Sequence, residues 1–73
     1  MSRAAAIGED LRLAGYALAG VEVLAAEDAA QARAAWERLP GDVGCLILTA
    51  SSRTALAARL AERPQLVWAV VPE

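Results

Sequence analysis

Glu9 and Asp10 stand side by side just after an apolar run that ends Ile7-Gly8, and they are the first residues in the chain that could do chemistry. Loops at the carboxyl ends of strands in open α/β sheets are where ligands sit, and two carboxylates there could hold a hard cation such as Mg²⁺. A second polar group, Thr49, Ser51, Ser52 and Thr54, follows the apolar run Val43 to Leu48 and could offer hydroxyls to an anion at a helix start. The chain has no histidine, all seven of its basic residues are arginine, and Cys45 is its one cysteine. A hydroxyl nucleophile would therefore lack a side-chain base of the usual kind, and a transition metal would lack ligands.

Each of these groups also has a plain structural reading. The acidic pair suits the solvated start of a helix, where the macrodipole favours negative charge. Serine and threonine at the later position suit helix capping, and Cys45 within an apolar run suits a small core residue. A receiver-like signalling module would place an aspartate at the end of the third strand as phosphoryl acceptor and a lysine after a later strand. Here the first position reads Leu48-Thr49-Ala50-Ser51 and the chain contains no lysine. Gly8 and Gly15 are too far apart for a dinucleotide-binding turn, and no Gly-Lys-Ser/Thr phosphate loop is present. No catalytic residue, cofactor or metal is expected.

The elements that position these residues follow from periodicity. Arg3 to Gly8 reads as a first strand. Asp10 reads as the cap of a helix running to about Ala19, with Leu11, Ala14 and Leu18 at helical spacing on one face, and Gly20 fits the left-handed position beyond its end. Val21 to Leu24 is a short second strand. Glu27 and Asp28 open a second helix that carries Ala29, Ala32, Trp36 and Leu39 along one stripe, and Pro40-Gly41-Asp42 ends it. Val43 to Thr49 is a third strand, apolar on both faces, with Val43, Cys45 and Ile47 on one side and Gly44, Leu46 and Leu48 on the other. Ser51 or Ser52 caps a third helix through Leu56 and Leu60 that closes at Pro64, and Leu66 to Val71 is the last strand.

Alternating strands and helices give an α/β class with a parallel sheet, in one domain over 1–73. With right-handed crossovers and the common strand order 2-1-3-4, the fold is Rossmann/flavodoxin-like with three helices. The first helix then lies on one face and the others on the opposite face, which leaves one side of the third and fourth strands uncovered. A chain of 73 residues buries only about 60% of the surface its unfolded form exposes. Yet 58% of the residues are hydrophobic and mean hydropathy is +0.37, so the chain has more apolar surface than it can cover alone. Self-association of the isolated chain through the bare sheet face is expected.

Charge narrows the partners further. The net charge is −2 and the arginines are scattered, so there is no basic face to displace counterions from nucleic-acid phosphates. No apolar run reaches the roughly 18 residues of a membrane span, and a lone cysteine excludes a disulfide framework. A cytoplasmic, reducing compartment is expected.

The order of residues at the start carries one further signal. Ile7-Gly8, Glu9-Asp10 and then Gly15-Tyr16-Ala17-Leu18-Ala19-Gly20-Val21 resemble the opening of the F subunit of V/A-type (vacuolar and archaeal-type) rotary ATPases. Such chains begin with a strand ending Ile-Gly, then acids, then Gly-Phe/Tyr-x-Leu-Ala-Gly-Val. Asp28-Ala29 with its alanine-rich helix, Cys45-Leu46-Ile47-Leu48-Thr49, and Arg63-Pro64 followed by Leu66 to Val71 and Pro72 resemble later parts of that family in the same order. The resemblance implies a non-catalytic rotor subunit of the central stalk, which binds the coiled-coil D subunit and turns inside the ring of A and B subunits. Synthesis or hydrolysis of ATP would occur on those other chains, and proton or sodium transport in the membrane sector, leaving this chain peripheral to the membrane. Such subunits continue into a C-terminal helical segment, so the chain ending at Glu73 would be either a short form or a part of one whose segment lies beyond these residues.

On this reading Gly15, Tyr16 and Ala19 form the partner interface. A glycine within an exposed helix costs about 1 kcal/mol relative to alanine, so Gly15 implies close approach of the helix backbone to the sheet or to a partner. Tyr16 offers an aromatic body with a polar tip, the kind of side chain enriched at interfaces. The alternatives are a degenerate receiver-like module and a self-associating α/β interaction domain.

Overall fold

The computed structural model describes residues 3–71. Met1, Ser2, Pro72 and Glu73 lie outside the described residues, as does the side chain of Leu18. The elements in chain order are β1 (Arg3–Gly8), α1 (Asp10–Leu18), β2 (Glu22–Ala25), α2 (Ala29–Glu37), β3 (Val43–Leu48), α3 (Ala50–Ala55), α4 (Ala57–Ala61) and β4 (Val67–Val70). The four strands form one all-parallel sheet in the order β2-β1-β3-β4, the common order expected for this class.

The sheet has two unlike faces. Paired residues in a parallel ladder share a face, so Ala5, Ile7, Leu24, Leu46, Leu48, Trp68 and Val70 line one side. Against that side pack Ala32 and Ala35 of α2, Leu56 between α3 and α4, and Leu60 of α4, and together with Leu66 they form the main core. The other side carries Ala4, Ala6, Val23, Cys45, Ile47, Val67 and Ala69, and α1 packs there on β1 and β2. Beyond α1, Cys45 and Ile47 are half-buried while Val67 and Ala69 are exposed, so the bare region falls over β3 and β4 as the topology requires.

Several local expectations change. Leu11 is 95% exposed and Leu13 is fully buried, so the inward line of α1 runs through Leu13 and half-buried Tyr16, while Leu11 and Ala14 face outward. Leu11 and Leu13 are two residues apart on a helix and cannot share a face. On β3 the register skips Gly44, since Arg3 pairs with Val43 and Ala4 with Cys45. The extra residue turns Val43 to the side of Leu46 and Leu48, where it is buried, and away from Cys45 and Ile47. Ala29 is exposed, and Ala32 and Ala35 carry the burial of α2, with Trp36 and Leu39 partly covered. The single third helix is in fact two short ones, interrupted at Leu56 (φ −103°, ψ 9°), although Leu56 N–H still donates to Ser52 C=O and Leu60 N–H to Leu56 C=O.

The caps explain where the helices begin. Asp28 accepts from the Gln31 N–H at 2.8 Å, and the Gln31 side chain returns to accept from the Glu27 N–H at 2.8 Å, a reciprocal arrangement akin to a capping box. At α3 the cap is Thr49, not Ser51 or Ser52; its hydroxyl accepts from the Ser52 N–H. At α1 the cap position is Glu9, with no side-chain bond, and Asp10 is the first helical residue. Gly20 takes φ 89° just beyond α1, the left-handed conformation that glycine adopts without Cβ strain.

Candidate partner interface and the carboxyl ends of the strands

The carboxyl ends of β1 and β3 bring together Gly8, Glu9, Asp10 and Thr49 to Ser52, where a ligand would sit in this fold. Thr49 is only 3% exposed and its Oγ1 donates to Ser52 Oγ at 3.1 Å while accepting from the Ser52 N–H at 3.4 Å. Its side chain also lies tight against Gly8: a Cβ built on Gly8 would stand 2.3 Å from Thr49 Cγ2. The hydroxyl cluster is therefore committed to holding α3 on the sheet. Glu9 pairs with Arg12 of its own helix, Nε to Oε1 at 3.8 Å, one turn along. Among the described residues no group of three or more Asp, Glu, Cys or His side chains is placed to hold a metal ion.

The Thr49, Ser51 and Ser52 hydroxyls bond one another and the Ser52 N–H, and the residue that follows β3 is Thr49 where a phosphoryl acceptor would need a carboxylate. The isolated chain is expected neither to turn over ATP nor to take a phosphoryl group from a small phosphodonor. Turnover lost in Glu9→Gln or Asp10→Asn would overturn that expectation.

The outward face of α1 is different in kind. Leu11, Gly15 and Ala19 follow one another at i, i+4 and i+8, with Ala14 beside them, and all four are exposed. A Cβ on Gly15 would meet nothing within 4 Å, so the glycine is not there to let α1 approach the sheet. Of the three residues expected at the interface, Gly15 and Ala19 share this outward line, and Tyr16 sits half-buried at its margin. Leu11 completes the line, and the sequence reading, which sets it on one helical face with Ala14, leaves it out of the interface. The available signal was the spacing of Leu11 to Gly15 and Ala19, which places the leucine on the glycine's face.

Among the described side chains, Leu11 is the one large residue on this line and Ala14, Gly15 and Ala19 are small. Such a surface admits another helix at short range, because small residues let two backbones approach closely.

Comparison with protein-family models, curated proteins and solved structures gives no match.

Proposed function

We propose that this chain is a non-catalytic central-stalk subunit, of the F kind, of a V/A-type proton- or sodium-transporting rotary ATPase or ATP synthase. The N-terminal motif supports the family. The observation that carries the reading is the outward face of α1, where Leu11, Gly15 and Ala19 make an exposed, uncharged line and a Cβ on Gly15 would meet none of the described residues within 4 Å. The occupant of that face is the coiled-coil D subunit, with the ring of A and B subunits around the pair, and the subunit transmits rotation while ATP chemistry proceeds elsewhere. No helix of the described residues is long and apolar enough to cross a membrane, and the subunit meets the membrane only through the complex, from the cytoplasmic side.

Gly15→Leu tests the reading because stability and binding should move in opposite directions. The open space at Gly15 accepts the side chain, and leucine improves on glycine in a helix by about 0.8 kcal/mol. The variant should melt a few degrees higher than the parent and yet fail to capture the D subunit in a pull-down. Tyr16→Ala should weaken capture less, since that side chain is half-buried within the chain. Undiminished capture of the D subunit by Gly15→Leu would remove α1 as the interface, and no capture by the parent chain would remove the family assignment.

A further inference from the structure

Val67, Trp68 and Val70 are three of the four exposed large hydrophobic residues among the described residues, and all three belong to β4. β4 is an edge strand. In a parallel ladder alternate residues turn both backbone groups toward the same neighbour. The Val71 N–H donates to Leu48 C=O at 2.8 Å, so Val71, Ala69 and Val67 address β3, while Trp68 and Val70 turn their N–H and C=O groups outward. Protein edges are normally blunted by a charge, a proline or a bulge, and β4 has none of these. β2, the opposite edge, begins with Glu22, paired to Arg3 at 3.6 Å.

We propose that β4 pairs antiparallel with β4 of a second copy about a two-fold axis at Ala69, joining the two sheets edge to edge. In this register Trp68 lies opposite Val70 of the second copy and Val70 opposite its Trp68, and every outward N–H and C=O of both residues finds a partner. The neighbouring registers fail for reasons fixed in the chain. Sliding one way sets Val70 against Leu66, whose N–H already donates to Arg63 C=O at 3.0 Å. Sliding the other way sets Trp68 against Pro72, which has no N–H. A one-residue slip opposes outward groups to groups already committed to β3.

The side chains agree with the same register. Aromatic and β-branched residues meet twice on the core side, a favourable cross-strand pair. On the bare side Val67 meets Val71, and Ala69 meets Ala69 at the axis, where a non-hydrogen-bonded pair brings Cα atoms to about 4.5 Å and small side chains fit best. No residue of β4 is charged, so the paired strands themselves oppose no like charges; the nearest charge is the Arg53 guanidinium, 5.7 Å from the centre of the Trp68 ring. α1 packs on β1 and β2, so its outward face stays free in such a dimer. The inference is thus independent of the stalk assignment.

The test uses the full chain in sedimentation and cross-linking. The parent should dimerise with rising concentration, and Val70→Pro should be monomeric with its far-UV spectrum retained, because only an outward N–H is removed. In a Cys45→Ala background, Ala69→Cys should form an intermolecular disulfide with oxidised glutathione several-fold faster than Val67→Cys, since the axial Cα separation falls within the range of about 4.4–6.8 Å a disulfide spans. Equal rates for the two cysteines would overturn the register. A parent chain that stays monomeric at millimolar concentration would overturn the pairing, as would a dimer retained in Val70→Pro and lost in Val67→Lys, which would place the contact on the bare sheet face. Uptake of an added strand peptide by a chain that does not self-pair would assign the edge to another partner and also overturn it.

Discussion

Gly8→Ala is expected to destabilise the domain by about 3 kcal/mol, the upper part of the range for overpacking a core. The new Cβ would stand 2.3 Å from Thr49 Cγ2 and 2.7 Å from Thr49 Oγ1, closer than any real packing contact. Neither side can yield cheaply. Gly8 C=O accepts from the Ala26 N–H at 2.8 Å, and the Thr49 N–H donates to Ile7 C=O at 3.3 Å, so both backbones are held. Rotating the Thr49 side chain away would break the cap of α3, itself worth about 1 kcal/mol. In a domain of this size each 1 kcal/mol moves the melting temperature by about 4–8 °C, so the shift should be read easily in a thermal melt. Thr49→Ser in the Gly8→Ala background removes Cγ2 while keeping the hydroxyl, and should restore part of the loss. A Gly8→Ala chain that melts with the parent would show that the β1–β3 contact is looser than described.

The second large effect separates two leucines of one helix. Leu13→Ala should cost about 2–5 kcal/mol, the range for deleting a buried leucine side chain, whereas Leu11→Ala should change stability by no more than about 0.5 kcal/mol. Leu13 is fully buried on the α1 side of the sheet and Leu11 is 95% exposed. Because Leu13 and Ala6 lie outside the main core cluster, truncation at Leu13 loosens α1 selectively. Hydrogen exchange should therefore show early loss of protection in Asp10–Leu18, while β3 remains protected. Equal costs at the two positions, or a larger one at Leu11, would reverse the assignment of the helix faces. In the proposed complex the roles exchange: Leu11→Glu should abolish capture of the D subunit without lowering the melt.

Much of the architecture is legible in the chain because it rests on local rules. Apolar runs at Ala4 to Gly8 and Val43 to Leu48 read as central strands, and alternation with helices makes them parallel. Handedness then fixes which face goes bare, and Val67 and Ala69 are exposed there. Gly20, with φ 89°, is likewise a local matter, as are Asp28 at its cap and the turn at Pro40. What is local in physics can be read in order along the chain.

The remaining features were decided by contacts between distant residues. Helical spacing allows either Leu11 or Leu13 to face inward, and the position of α1 over β1 and β2 selects Leu13. The hydroxyls after β3 look free in sequence; Gly8, about forty residues earlier, closes against Thr49 and commits it to capping. The skipped Gly44 exists only in the pairing of β3 with β1, and it alone moves Val43 into the core. By itself the sequence determined the α/β class with a parallel sheet, because composition and periodicity act residue by residue. Only the tertiary structure decided that Leu11 on α1 and, on the core side of β4, Trp68 and Val70 remain outside, because exposure depends on what the rest of the fold leaves uncovered.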